Sequence, residues 1–524
     1  MNVGDISARE AGRRPHKEAI VDPVRGRRVS YAELERRVSA LAHAFAADAR
    51  IAPGDRIVIL ATNCVEYFEV YFAAARAGVI AQGLNWRLAA DELAKIIESV
   101  EPVAFVYDGE FSAQAEELAR RADIPIWLSF GEGSEGTYDA FLERGQAHQE
   151  PLAPGDPDRG ILIVYTGGTT GEAKGALHTD RGCVAAMVNN TVAERIVPSD
   201  RYLLQGQMFH SAAILAFNYL MNGATVVLLP RFEPELSLST IEAERVTASL
   251  AFPAMLNYIL AAAQGAGFDL SSLRNLQYGG GPMAPEVILA TMDALPCSLI
   301  QNYGSSEHIG VTFLSQEDHS EAHAGHNVHR LRSCGREALL TQVQLLDEQG
   351  RRVPSDGETA GEIFVRAPSN MAGYWRRPDL TAAITRGAWQ GTGDLAVRDG
   401  DGYLYVVGRA KDVIISGGEN IYPIQVENAI AAHPDVLEVA VVGTPDELWG
   451  ESVAAYVVLK PGAQATGEIL QDSVRDVLGS YQKPKAVRFM AELPKSAAGK
   501  VEKGALRALE ETTPDEHAHS RVRS

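Results

Sequence analysis

The chain is 524 residues long, too much for one compact core, so two or more domains are expected. Its 48 Lys plus Arg against 68 Asp plus Glu give a net charge of −20, which argues against a long nucleic-acid footprint but leaves room for one small anionic ligand in a local pocket. The 46% hydrophobic content is that of a folded globular protein; the four cysteines lack the spacing of a disulfide framework or zinc site, and no apolar run reaches the ~18 residues of a membrane span.

The N-terminus, "MNVGDISAREAGRRP", has no apolar signal core, so a cytoplasmic location is expected. "SYAE" at Ser30–Glu33 is a candidate capping box that opens a helix over 31–48. "RIVIL" (56–60), "VAFVY" (103–107), "ILIVY" (161–165) and "ATVVLL" (224–229) read as buried strands, and 31–48, 66–78 and 181–195 carry helical periodicity. This alternation predicts an α/β protein with largely parallel sheets.

The third of these strands runs into "YTGGTTGEAKGA" (Tyr165–Ala176). A Walker A loop needs GxxxxGK[ST]; here Ala173 precedes Lys174 and Gly175 follows it, which disfavours a P-loop NTPase. The ingredients still suit phosphate. Gly167 and Gly168 let backbone N–H groups approach oxygens, Thr166, Thr169 and Thr170 add hydroxyls, and Lys174 adds charge. A plain Gly/Thr surface loop is the alternative.

Farther along, "MFHSAAILAFNYL" (Met208–Leu220) is apolar, and no Asp, Glu, Lys or Arg occurs between Phe209 and Leu229. "GGGPM" (Gly279–Met283) and "YGSSE" (Tyr303–Glu307) follow. "HSEAHAGHNVHR" carries His319, His323, His326 and His329 without acidic or cysteine support at ligand spacing, and a solvated loop is expected there rather than a metal site. Near residue 340 the texture changes: "VQLLDEQGRRV" and "GEIFVR" read as antiparallel strands. "TGD" (Thr392–Asp394) and "GRAKDVIISGGENIYP" (Gly408–Pro423) come next. A helix, the strands "EVAVVG" and "SVAAYVVL" and another helix then make up a small α+β domain of about 110 residues. "PKSAAGK" (Pro494–Lys500) precedes a polar stretch, 511–524, expected to be disordered.

The glycine loop, "YGSSE", "TGD", "GRAKDVIISGGENIYP" and "PKSAAGK", in this order, resemble the motifs of the adenylate-forming superfamily, which holds acyl-CoA synthetases, luciferases and peptide-synthetase adenylation domains. The resemblance runs from Ser30 to Arg507 and is nearest in look to bacterial aryl- or fatty-acid–CoA ligases. It implies a large N-terminal domain (1–409) of stacked α/β subdomains with a small β-barrel-like part, which binds ATP and the acid. A small, mobile α+β C-terminal domain (410–524) would turn about a hinge at Lys411. The implied activity is that of an acid–CoA ligase using ATP, Mg2+ and CoA on an aromatic or short- to medium-chain aliphatic acid. The alternative is a stand-alone adenylation enzyme that loads a carrier protein. A homodimer is compatible with the resemblance.

Roles are implied position by position. Thr166, Gly167, Gly168, Thr169, Thr170 and Lys174 would hold the β- and γ-phosphates, and Lys500 would bridge carboxylate and phosphate oxygens during adenylation. Glu307 would be the magnesium ligand, and Ser306, in the turn with Gly304 and Ser305, would offer a hydroxyl to the α-phosphate. Tyr303, Gly280, Gly281 and Pro282 would form the adenine slot. Asp394 would accept from the ribose hydroxyls with Arg409 close by. Gly417 and Gly418 would admit the pantetheine arm, and Arg87, Trp449, Tyr481 and Lys483 would meet the CoA nucleotide. His210 would gate or orient the acid carboxylate; a core histidine is the alternative. The uncharged wall after it disfavours an amino acid or a dicarboxylic acid. Gly167, Ala173, Ser306 and Gln425 depart from the common Ser, Pro, Thr and Glu, and His308 stands where small residues are common.

Overall fold

Successive side chains of a strand point to opposite faces, and Arg56–Leu60 is apolar on both. Ile57 and Ile59 pack into one core, Val58 and Leu60 into another. The same split recurs in Arg201–Leu204, where Tyr202 and Leu204 join the first core and Leu203 joins a third. Two sheets, each buried on both faces, are therefore stacked with helices outside and between them. A computed structural model of the chain describes residues 2–146, 152, 155–166, 173–265, 267–446, 448–495 and 501–512.

The seven-stranded sheet runs in the order Gly373–Tyr374, Lys174–Thr179, Gly160–Thr166, Ile80–Gly83, Arg56–Leu60, Ala104–Asp108, Ile126–Phe130. Its first two pairings are antiparallel and the rest parallel. The nine-stranded sheet contains the parallel run Thr225–Leu228, Arg201–Leu204, Ala248–Ala251, Asn275–Gly279, Ser298–Tyr303. Helices Tyr31–Ala47, Val65–Ala77, Asp180–Glu194 and Ala212–Met221 fill the space between the sheets.

A third sheet is antiparallel throughout. Gln342–Leu346, Gly361–Arg366, Trp389–Arg398 and Thr385–Arg386 follow one another, and Leu404–Arg409 also pairs with Trp389–Arg398. The fourth sheet, smaller and C-terminal, is built on Gly450–Leu459, which pairs antiparallel with Val436–Asp446 and Ile414–Ser416 and parallel with Ala486–Phe489. The architecture is thus a large N-terminal part of stacked sheets followed by a smaller C-terminal part. Among the described residues no helix is long and apolar enough to cross a membrane.

The helices read from periodicity form within about two residues of their expected ends, and Ser30 Oγ accepts from Glu33 N at 3.1 Å as a helix cap. Two expectations are corrected. The histidine-rich segment begins as a helix, Gln316–His323, opened by a Ser315–Asp318 capping box. His319 is fully buried there: its Nδ1 donates to Ser315 O at 2.7 Å, and its Nε2 accepts from Tyr278 at 2.8 Å. A short polar helix has no apolar stripe to announce it, so the cap was its only signal. The expected tail starts too early, because helix Lys503–Thr512 includes its first two residues; 513–524 lie outside the described residues.

Candidate active site

In open α/β sheets, loops at the carboxyl ends of parallel strands are where ligands bind. Three such ends carry the motifs here. Gly160–Thr166 forms a hairpin with Lys174–Thr179 whose last pair is Thr166↔Lys174. The residues between, including Gly167, Gly168, Thr169 and Thr170, lie outside the described residues. Lys174 Nζ stands 5.5 Å from the centroid of the Tyr374 ring, a cation–π arrangement. Tyr374 belongs to the two-residue strand Gly373–Tyr374, paired with Lys174–Thr179 at Ala176. Its hydroxyl donates to Glu307 Oε1 at 2.8 Å. One side chain thus joins the glycine loop's cation to the carboxylate of "YGSSE".

The second end is Ser298–Tyr303, which continues into the turn Gly304–Glu307. Ser305 Oγ accepts from the backbone N–H of both Glu307 and His308, each at 3.2 Å. The same hydroxyl lies 3.3 Å from His308 Nδ1, a hydrogen bond whose direction follows the imidazole tautomer. His178, on the lysine strand and fully buried, donates from Nε2 to Ser306 O at 2.7 Å and so anchors the turn. Burial holds both imidazoles down at about 4, and they are neutral at pH 7. For Glu307 burial opposes the charge, yet hydrogen bonds from Tyr374 and Ser305 prevail and keep the carboxyl below its ordinary value. Among the described residues no three His, Cys, Asp or Glu side chains converge to hold a metal. One ionised carboxylate joined through Tyr374 to the Lys174 cation nonetheless fits magnesium, which takes one or two carboxylates and completes its shell with substrate phosphate and water.

The third end is Asn275–Gly279, followed by Gly280, Gly281 and Pro282. Gly280 sits at φ +78°, and a Cβ there would lie 3.0 Å from the Phe252 ring, so only glycine fits without strain. Facing these ends, the third sheet presents Asp394. Asp394 and Arg409 are register partners on neighbouring strands, and Arg409 Nε lies 3.0 Å from Asp394 Oδ1. Tyr303 donates to Asp394 Oδ2 at 2.8 Å, and burial together with that carboxylate pushes the phenol well above its ordinary value, so it remains a donor. Lys411 follows in the short helix Ala410–Asp412; partial burial, with Arg409, Arg507 and Lys174 adding to it and Asp412 opposing, lowers its ammonium.

The structure therefore gathers Lys174, Glu307, Ser305, Ser306, Tyr303, Asp394, Arg409 and Lys411 around three strand ends. Tyr374 and His178 belong to the same cluster and escaped the sequence reading, Tyr374 because a two-residue strand has no periodicity and His178 because nothing local marks it. His210 is half-buried in the turn before Ala212–Met221, edge-on to Phe209 with centroids 4.6 Å apart. Ala212 and Ala213 are buried on that helix.

The residues expected at the CoA nucleotide are spread out. Arg87 stacks on Trp86 at 4.7 Å, on a ring that Arg231 also meets at 5.0 Å. Trp449 is 48% and Tyr481 52% exposed, whereas Lys483 is 3.5 Å from Asp472. Lys485, not Lys483, is the cation over Trp449, at 6.0 Å. Gly417 and Gly418 are the two central residues of the hairpin joining Ile414–Ser416 to Glu419–Ile421, at φ +61° and +86°. Lys500 lies outside the described residues.

Residues 7–375 match the family described as "AMP-binding enzyme", and residues 425–500 match its "AMP-binding enzyme C-terminal domain". The chain is 36% identical over 512 residues to a feruloyl-CoA synthase of an Amycolatopsis species, covering 97% of this chain and 99% of that one. It is also 36% identical over 520 residues to an indoleacetate–CoA ligase of Aromatoleum aromaticum, at 97% and 98% coverage. Among solved structures, an amide bond synthetase from Marinactinospora thermotolerans superposes with a TM-score of 0.85 at 31% identity, covering 97% of this chain and 99% of that one. Motif order, strand-end geometry and these matches agree: the chain belongs to the AMP-binding enzyme family, within the adenylate-forming superfamily.

Proposed function

We propose that this enzyme, an AMP-forming acid–CoA ligase by family, acts on an aromatic carboxylic acid. A carboxylate oxygen attacks the α-phosphorus of ATP, the bond to the bridging oxygen of pyrophosphate breaks, and an acyl-adenylate remains. The CoA thiolate then attacks the acyl carbon and AMP leaves. The observation that carries the reading is the set Lys174–Tyr374–Glu307, joined by a cation–π contact and a hydrogen bond, opposite Tyr303–Asp394–Arg409: a cation and an ionised carboxylate facing a second carboxylate suited to a ribose diol. The aromatic tail is supported by the feruloyl and indoleacetate relatives and by the uncharged stretch after Phe209.

Within this proposal Lys174 and the glycine loop hold the outer phosphates, Asp394 accepts from the ribose diol, and Lys500 carries positive charge to the α-phosphate. Magnesium, when bound, neutralises charge that builds on the phosphates. Glu307 offers it one ionised carboxylate, oriented by Tyr374. Residues 1–409 and 410–524 would form two bodies that rotate about Lys411, bringing in Lys500 for adenylation and the Gly417–Gly418 turn for thioester formation. A pyrophosphate-release screen over cinnamic, indoleacetic, benzoic and fatty acids tests the substrate class. Release fastest with aryl acids supports it; release fastest with fatty acids overturns it. A second reading is suggested by the Marinactinospora neighbour, described as an amide bond synthetase: an amine could replace CoA as acceptor.

A further inference from the structure

Between strand Arg201–Leu204 and helix Ala212–Met221 the chain is neither strand nor helix, yet Gln205, Gly206, Gln207, Met208 and Phe209 are all buried. Irregular backbone normally runs over the surface, because its N–H and C=O groups need partners. Here side chains from another stretch of chain supply them. Asn63, 1% exposed in the loop after Arg56–Leu60, donates from Nδ2 to Gly206 O at 2.9 Å and to Leu229 O at 3.0 Å, and its Oδ1 accepts from Met208 N at 2.9 Å. Tyr71, buried on helix Val65–Ala77, donates to Met208 O at 3.1 Å. Both polar groups of the Met208 backbone are thus gripped. Asn63 is itself fixed: its N–H donates to Pro230 O at 3.3 Å, and its carbonyl accepts at 3.2 Å from Arg25, which pairs with Asp108. The fit is close, for a Cβ on Gly83 would lie 2.6 Å from Tyr71 Oη and 2.7 Å from Phe209 Cα.

We propose that Asn63 and Tyr71 are positioning residues for the carboxylic acid: by clamping the backbone of Met208 they fix the segment Gly206–His210, and with it the wall that His210 and the start of helix Ala212–Met221 present to the acid. The clamp acts through the backbone it holds. His210 N donates to Gln207 O at 3.1 Å and Ala213 N to His210 O at 3.2 Å, so a displacement at Met208 is passed directly into His210 and the helix start. A misplacement of ~1 Å in such a wall costs up to about 10²-fold in rate. The inference rests on the reading of Met208–Leu220 as a wall of the acid pocket, and not on which acid is the substrate.

The test is steady-state pyrophosphate release by the full-length enzyme, with acid and ATP varied separately, for two accepted acids of different size. His210→Ala checks the underlying reading. If it leaves every acid-dependent parameter at the wild-type value, the segment is not at the acid and both readings fall. With a change established, Tyr71→Phe, which removes one hydroxyl and keeps the ring, is expected to raise the KM for acid about 3–10-fold and to shift the ratio of kcat/KM between the two acids, while the KM for ATP stays within about twofold of wild type. Asn63→Ser, which loosens more of the segment, should raise the KM for acid about 10–100-fold with the same split. An unchanged KM for acid in either folded variant, an equal rise in both KM values, or a fall in kcat alone that is the same for both acids would show a purely structural role and overturn the clamp, while leaving the segment its place at the acid. If Asn63→Ser does not fold, Tyr71→Phe decides alone by the same outcomes.

Discussion

Asp394 shows how much one side chain carries. Both of its oxygens are engaged, one by Tyr303 and the other by Arg409, and the residue is 9% exposed. Asp394→Ala strands the Tyr303 hydroxyl in a buried place, which costs about 1–3 kcal/mol of stability, and removes the proposed ribose acceptor, worth ~1.5–3 kcal/mol or about 10–100-fold in the KM for ATP. Steady-state kinetics at saturating acid and CoA checks this; an unchanged KM would take Asp394 out of the nucleotide site. Glu194 makes a pH prediction. Burial raises its carboxyl from 4.5 to about 7, although Tyr219 donates to it at 2.6 Å. A raised carboxyl binds its proton more tightly folded than unfolded. Its stabilising contribution is therefore complete below pH 4.5 and is lost as pH rises through about 7, a change of ~3 kcal/mol. The wild-type Tm should fall between about pH 5 and pH 8.5 by more than that of Glu194→Gln. Parallel curves would show that Glu194 does not titrate there.

At the scale of elements, the hairpin carrying Gly417 couples backbone to packing. Its φ of +61° suits glycine, and a Cβ would lie 2.5 Å from Trp449 Cε3. Gly417→Ala strains the turn and pushes the indole away, so it should destabilise the C-terminal unit by about 1–3 kcal/mol and slow thioester formation more than adenylation. Separate assays of the two half-reactions, with pre-made acyl-adenylate for the second, measure this. Equal slowing would mean that the turn serves only stability. The hairpin also marks a limit of the sequence. Its strands are three residues each, too short for a period-two pattern, so "ISGGEN" reads only as a glycine turn. Gly373–Tyr374 is shorter still, so nothing in the sequence places Tyr374 beside Lys174. Long buried strands such as Arg56–Leu60 and Gly160–Thr166 are legible because both faces are apolar, and the glycine loop at the end of the second follows from it. The convergence of Tyr303 with Asp394, ninety-one residues apart in sequence, belongs to tertiary structure and leaves no local trace.

For the whole molecule, the account requires two arrangements of one chain. In the proposed cycle Lys500 acts only while charge builds at the α-phosphate, so Lys500→Ala should slow adenylation by about 10²–10³, yet thioester formation from pre-made acyl-adenylate should remain near the wild-type rate. Lys411→Pro fixes φ at the proposed hinge and should hinder the interchange, giving one half-reaction without the other. If both variants slow both half-reactions alike, the rotation is wrong for this enzyme. The most direct measurement of the central claim is the fate of the acyl group. Enzyme, an aryl acid, ATP and Mg2+ are incubated with CoA, with a primary amine, with a phosphopantetheinylated carrier protein, or with none of them, and AMP and acyl products are quantified. The account predicts that CoA sharply accelerates AMP release and that acyl-CoA forms in equal amount to AMP. AMP release indifferent to CoA but driven by the amine or the carrier would contradict it.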